Sequence, residues 1–208
     1  MMEPRTLGFV EKSCNGQLVA GERSASVRHI CTDSRLAKPG DLFVAIRGDR
    51  FDGHDYLNDA LGQGAEAAVV NRSCLGQAES AGPMIGVDET RRALGQLAAR
   101  YRQDFELPVV AVGGSNGKTS TKEILATVLG QRLETLSSEA SFNNDIGVPL
   151  TLLRLNAEHR QAVIELGANA PGEIAWTSGL VKPDVALITN VTGAHMEGFG
   201  SMDGIDRA

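Results

Sequence analysis

The chain has 208 residues, with 20 Lys and Arg against 26 Asp and Glu, a formal net charge of −6. That acidic balance excludes a polycationic binder of nucleic acid or anionic membrane, and 42% hydrophobic with 22% charged residues excludes disordered and collagen-like chains. Glycine is the outlier, at 24 residues or about 12% against an average near 7%, so glycine turns are expected to matter.

The opening MMEPRTLGFVEKSCNG lacks the apolar core of a secretory signal, and no apolar run reaches the ~18 residues of a membrane span. A cytoplasmic location is expected. Cys14, Cys31 and Cys74 form no CxxC pair and have no histidine at metal-ligand spacing, so they read as reduced packing thiols.

From residue 26 to residue 87 short apolar runs alternate with polar, glycine-bearing connections: SVRHI, DLFVAI, AEAAVV and PMIGV read as strands. Between the second and third, HDYLNDALGQG places Tyr56, Leu57, Ala60 and Leu61 at helical spacing and ends on glycine. Residues 1–87 therefore read as a small α/β domain. Asp88 is the expected N-cap of a helix to Arg102, which bridges two domains and has Ala93, Leu94, Leu97, Ala98 and Tyr101 on one face. After Pro108 the runs VVAV, AVIEL and VALIT show little alternation, as expected of parallel strands covered on both faces. Helical patterns separate them, so residues 88–208 read as a doubly wound α/β unit.

The strongest local signal lies here. The strand Val109-Val110-Ala111-Val112 runs into Gly113-Gly114-Ser115-Asn116-Gly117-Lys118-Thr119 and then a helix, with Ile124, Leu125, Val128 and Leu129 as its expected core face. Glycines let successive backbone N–H groups turn toward phosphate oxygens, and the helix N-terminus adds a favourable field. Lys118 can reach β- and γ-phosphates and the Thr119 hydroxyl can hold Mg²⁺, which makes a nucleoside triphosphate site. Val112 stands where the general G-x-x-x-x-G-K-[ST] form has its first glycine, so the loop is one residue tighter.

Other strand ends carry polar groups. Glu165 closes AVIE at the end where a doubly wound sheet has its ligand crevice, and a carboxylate suits Mg²⁺; a solvated strand-end glutamate is the competing reading. His195 also follows a strand, VALIT, but imidazole is an unusual Mg²⁺ ligand and position alone does not make it one. Asn143 and Asn144, before Asp145-Ile146-Gly147-Val148-Pro149, are either substrate-binding amides or turn chemistry. Trp176 reads as packing, and His29 and His159 as surface or packing residues.

Together TDSRLAKPGDLFVAIRGDRFDGHDY, GGSNGKTSTKE, NNDIGVPLTLL, IELGANAPGEI and TNVTGAHMEGFGS resemble the Mur ligase family of ATP-dependent amide-forming enzymes, over nearly the whole chain. The family's phosphate loop has the short G-x-x-G-K-T form found at Gly114 to Thr119. Gly113 stands where the family usually has threonine, and a backbone N–H is available from either. NNDIGVP, ELGAN and the Lys122-Glu123 pair are similar to the member that adds D-Ala-D-Ala, rather than to the sister ligase that adds the preceding residue. Another P-loop enzyme, such as a kinase or a different Mur-type ligase, and a non-catalytic nucleotide-binding module are the alternatives.

The resemblance implies ATP and Mg²⁺ as cofactors and UDP-MurNAc-tripeptide and D-Ala-D-Ala as substrates, with no nucleic acid or membrane partner and a monomeric protein. It implies that Gly113 to Thr119 bind ATP, with Lys118, Glu165 and His195 catalytic and Thr119, Glu165 and His195 on the metal. Ser34, Arg35, Asp49 and Arg50 would receive the UDP-sugar in the first domain, and Asn143 and Asn144 would face the substrate. Family members are longer, so the chain is expected to be an N-terminal portion with an incomplete central sheet that exposes apolar edges.

Overall fold

The computed structural model describes residues 2–78 and 82–192. The chain divides into two compact units, Met1–Leu97 and Ala98–Ala208.

The first unit is a five-stranded sheet of β2 (Gln17–Ala20), β4 (His29–Cys31), β5 (Asp41–Val44), β6 (Ala67–Asn71) and β7 (Met84–Val87), in the order β2-β7-β6-β5-β4. β4 to β7 run parallel and β2 joins β7 antiparallel. β5 and β7 are buried along their whole length, which explains their near-continuous apolar runs. The helix expected after Asp52 forms as α2 (Leu57–Gly62) behind a 3₁₀ turn at Gly53–Tyr56. Its Leu57 and Ala60 pack with Phe43, Ala68 and Met84.

The first strand and helix have no counterpart among the sequence expectations, and the run SVRHI, expected as one strand, forms two short strands in separate sheets. β1 (Arg5–Thr6) pairs antiparallel with β3 (Ser26–Val27), and α1 (Leu7–Ser13) follows, its first turn capped by the Thr6 hydroxyl, which accepts from Phe9 N at 3.2 Å. These elements are too short for a periodicity to show. The three cysteines are free and buried, as expected of packing thiols; burial pushes the Cys14 thiol up to about 12. α3 (Leu75–Ala78) is a single turn.

The division between the units falls within α4 (Thr90–Arg102). Its Ala93, Leu94, Leu97, Ala98 and Tyr101 are buried, as their spacing predicts. The cap is a correction: Glu89, not Asp88, accepts from Arg91 N at 2.8 Å and Arg92 N at 2.7 Å. Asp88 is one residue too early and instead pairs with Arg72 at 2.5 Å.

The second unit contains a four-stranded, all-parallel sheet of β8 (Val109–Gly113), β9 (Thr135–Ser137), β10 (Gln161–Glu165) and β11 (Val185–Ile188), ordered β11-β8-β10-β9. β9, three residues long, was not foreseen. α5 (Lys118–Gly130) follows β8, α6 (Gly147–Leu152) precedes β10, and α7 (Glu173–Val181) leads to β11. The chain moves one way from β8 to β9 and the other way from β10 to β11. Right-handed crossovers therefore put α5 and α7 on opposite faces, the doubly wound arrangement.

α5 presents a different face from the one its sequence suggests. Lys122 is fully buried and Leu125, Ala126 and Leu129 are half-buried, whereas Ile124 and Val128 are 64% and 62% exposed. The inward stripe runs 122, 125, 126, 129, a helical i, i+3, i+4, i+7 set that opens on a lysine. β11 forms an edge of the described sheet, with Val185 and Ile188 exposed.

Candidate active site

β8 ends where the phosphate loop begins, and two glycines there adopt backbone angles that other residues rarely take. Gly114 has φ +123° and Gly117 has φ +80°. A Cβ on Gly114 would stand 2.9 Å from Asn190 O and 3.0 Å from Thr189 N. Gly117, by contrast, faces open space and starts α5.

The segment after β11 straps the loop from one side. Ser115 N donates to Asn190 O at 2.8 Å, Asn116 N to Asn190 Oδ1 at 3.0 Å, and Thr189 Oγ1 to Asn116 O at 2.7 Å. The N–H groups of Ser115 and Asn116 are thus spent inside the protein. Those of Gly117, Lys118 and Thr119 make no hydrogen bond to the described residues, so the free donors of the loop are at the first turn of α5. Lys118 folds back over the loop, its Nζ donating to Gly114 O at 2.7 Å and Ser115 O at 3.1 Å. An ammonium parked on backbone carbonyls in this way is released when a phosphate offers a stronger, charged acceptor.

Glu165 ends β10 opposite Val112 of β8, at the same end of the sheet as the loop. It is almost fully buried, which rules out a solvated strand-end glutamate. Oε1 accepts from Asn143 Nδ2 at 2.8 Å, and the backbone N donates to Ser138 Oγ at 3.0 Å. Oε2 is buried with no hydrogen-bond partner among the described residues. An unpaired carboxylate oxygen in a protein interior is costly unless a ligand completes it.

The two asparagines separate in role. Asn143 holds Glu165, and its carbonyl accepts from Gly167 N at 2.8 Å. Asn144 does turn chemistry, its Oδ1 accepting from Ile146 N at 3.2 Å and Gly147 N at 2.8 Å at the start of α6. Asn143 Nδ2 and Asn144 Oδ1 are thus engaged within the chain. His195 lies outside the described residues.

In the first unit a cavity of about 300 Å³ is lined by Thr32, Asp33, Ser34, Arg35, Phe43, Ile46, Phe51, Gly53 and Tyr56. Ser34 and Arg35 are thus on its wall. Asp49 and Arg50 are not; they are exposed at the tip of a tight turn closed by Gly48 N to Phe51 O at 2.9 Å. Asp33 holds Arg35 in a fork at 2.9 and 2.6 Å, and the guanidinium brings the Asp33 carboxyl down to about 2. Phe51 and Tyr56 give the cavity aromatic faces, which alternating strand patterns could not have revealed.

His54, also missed, ties this region together. Its buried Nε2 accepts from Asn71 N at 2.9 Å, so Nδ1 carries the proton and donates to Asp52 at 2.5 Å. His29 pairs with Asp41 at 3.2 Å, and His159 Nδ1 accepts from Asn156 N at 3.1 Å.

Two family patterns match the chain: Mur ligase family, catalytic domain, over residues 26–102, and Mur ligase middle domain over residues 112–208. The chain belongs to the Mur ligase family. A UDP-N-acetylmuramoyl-tripeptide--D-alanyl-D-alanine ligase of Escherichia coli K12 is 46% identical over 98% of the chain, which spans 44% of that relative. MurF from Acinetobacter baumannii superposes with a TM-score of 0.92 at 42% identity, over 100% of this chain and 45% of that one. A MurF ligase from Thermotoga maritima, in complex with ADP, has a TM-score of 0.76 at 34% identity over 86% of this chain and 41% of that one. The chain thus spans less than half the length of the relatives it matches.

In this Mur ligase chain the donor set fits a hard cation at one point, the unpaired Oε2 of Glu165 at the loop end of the sheet. Among the described residues no group of three or more His, Cys, Asp or Glu converges. No helix of the described residues is long and apolar enough to cross a membrane.

The Asp52 cluster makes a pH prediction for this Mur ligase fold. Burial pushes the Asp52 carboxyl up, but hydrogen bonds from the His54 ring and backbone and from Arg47 outweigh it and bring it down to about 2. A depressed carboxyl contributes stability that is present above its unfolded pKa near 3.8 and is lost as pH falls toward 2. Urea unfolding is expected to show Asp52→Asn less stable than wild type by about 2 kcal/mol at pH 7, with the gap closing between about pH 4 and pH 2. A gap independent of pH would contradict the assignment.

Proposed function

We propose that the chain forms the UDP-substrate and ATP-binding parts of a ligase that joins D-Ala-D-Ala to UDP-MurNAc-tripeptide in cytoplasmic peptidoglycan precursor assembly. The observation that carries this reading is the unpaired buried oxygen of Glu165 at the end of the sheet from which the Lys118 loop emerges. The names of the relatives supply the substrates.

The first unit receives the UDP-sugar in its aromatic cavity, where Ser34 and Arg35 offer a hydroxyl and a cation, with Asp49 and Arg50 on the adjacent turn. In the second unit Lys118 moves from its loop carbonyls to the β- and γ-phosphates, and the N–H groups of Gly117, Lys118 and Thr119 hold phosphate oxygens. A terminal carboxylate oxygen of the tripeptide attacks the γ-phosphorus, ADP leaves, and an acyl phosphate results. The amine of D-Ala-D-Ala then attacks the acyl carbon, inorganic phosphate departs and the amide forms.

Both reactants of the first step are anions, so the chain's task is charge neutralisation and alignment rather than covalent catalysis. Mg²⁺ bound by Thr119, Glu165 and His195 would supply further neutralisation on the phosphates. Asn143 keeps Glu165 aimed by occupying its other oxygen.

The test measures ligand-induced melting shifts and ADP release from the purified chain with ATP, Mg²⁺ and UDP-MurNAc-tripeptide, with and without D-Ala-D-Ala. The proposal expects both nucleotides to raise the melting temperature and sustained, multiple-turnover ADP release to require both the tripeptide and D-Ala-D-Ala. Binding without acceptor-dependent release would confine the chain to a binding role, and binding of neither would refute the reading.

A further inference from the structure

Among the described residues, Lys122 is the one charged side chain in the set of largest fully buried ones. It occupies the first position of the inward stripe of α5, where a leucine or methionine would pack without the cost of desolvating an ammonium. All three of its donors are spent: on Glu123 Oε1 at 2.5 Å, Ser138 O at 2.8 Å and Ala140 O at 3.3 Å. Two of those acceptors belong to the segment after β9. There Ala140 is held at φ +44°, a left-handed backbone that a non-glycine residue adopts only when its surroundings impose it.

That segment is also the clamp on Glu165. Ser138 Oγ accepts from Glu165 N, and Asn143, three residues beyond Ala140, donates to Glu165 Oε1. Lys122 lies one helical turn after Lys118, on the same helix that begins with the phosphate-binding N–H groups. One buried cation therefore fastens the helix carrying Lys118 and Thr119 to the segment gripping the Glu165 carboxylate.

We propose that Lys122 is a positioning residue for the cation site: through the Ser138 and Ala140 carbonyls it sets the clamp that leaves Glu165 Oε2 unpaired and aimed at a nucleotide-bound divalent cation. This rests on the nucleotide and Mg²⁺ reading given above. Lys122 touches neither ligand, so its loss acts on the metal-dependent part of nucleotide binding.

The experiment titrates ADP into the chain by calorimetry, in Mg²⁺ and in excess EDTA, for wild type, Lys122→Met, Glu165→Gln and the double variant. In wild type Mg²⁺ is expected to tighten ADP binding. Lys122→Met is expected to lose about tenfold of the Mg²⁺-dependent gain and to keep its EDTA affinity within twofold. The double variant is expected to be no worse than Glu165→Gln alone, because both changes act through one carboxylate. Should Lys122→Met fail to fold, Ser138→Ala loosens the same clamp without unpairing the ammonium, and a loss of about threefold confined to the Mg²⁺ arm is expected.

Equal losses in Mg²⁺ and EDTA, an unchanged Mg²⁺ gain, or additive effects of the two substitutions would overturn the role of Lys122. A wild-type chain that binds ADP identically with and without Mg²⁺ would overturn the underlying site reading as well.

Discussion

Lys118→Ala is expected to weaken ATP binding about 10- to 100-fold while changing the nucleotide-free melting temperature by only a few degrees. Hydrogen bonds to charged groups contribute ~1.5–3 kcal/mol, and each ~1.4 kcal/mol is a factor of ten in affinity. Without nucleotide, the Lys118 ammonium only bridges two loop carbonyls of a half-buried segment, and those carbonyls can turn to water once it is gone. Fluorescence or calorimetric titration with ATP in Mg²⁺ reads the first quantity and thermal unfolding the second. Affinity within twofold of wild type would remove the loop from the phosphate site. A large fall in the nucleotide-free melting temperature would instead make Lys118 a structural residue.

Gly114→Ala is the most damaging single-methyl change that the loop offers. The residue holds φ +123°, where an L side chain is strained by about 1–3 kcal/mol. The added Cβ also meets backbone atoms of Thr189 and Asn190 at 3.0 and 2.9 Å. Relief requires the loop to part from the 189–192 strap, and with it go the hydrogen bonds at Ser115 and Asn116. The expected result is a loss of ATP affinity of at least tenfold together with a melting temperature lowered by about 2–4 °C for each kcal/mol lost. Gly130→Ala is the control. It sits at the end of α5 with nothing within 4 Å of its Cβ, and should leave binding unchanged and stability equal or slightly higher. Similar behaviour of the two variants would show that the strap does not hold the loop.

Two adjacent asparagines show which side-chain roles depend on distant partners. Asn143, in a polar loop before a helix, reads from sequence as a substrate-binding amide or as turn chemistry. Its Nδ2 is hydrogen-bonded to Glu165, 22 residues away in sequence. Asn144, beside it, behaves as its local sequence suggests, because capping a turn uses only backbone two and three residues on.

The parts of the protein readable from residue order alone are those whose cause is local. The parallel strands β5, β7, β8 and β10 announce themselves as unbroken apolar runs because both faces are covered. The loop from Gly113 to Thr119 announces itself because positive-φ glycines, a lysine and a hydroxyl must stand at fixed steps between a strand and a helix. The placement of Glu165 at a strand's C-terminal end was legible for the same reason, since β10 ends where its apolar run ends. The inward face of α5 was not legible. Ile124, Leu125, Val128 and Leu129 are an equally good apolar set by spacing, yet Ile124 and Val128 face outward and Lys122 faces in. That choice is made by the carbonyls of Ser138 and Ala140, 16 and 18 residues further on, which give an ammonium the partners it needs to be buried. The orphaned oxygen of Glu165, the strap on the phosphate loop and the His54–Asp52 pair are of the same kind. Each depends on which backbone groups the fold brings within about 3 Å, the hydrogen-bond distance, and no periodicity along the chain encodes that.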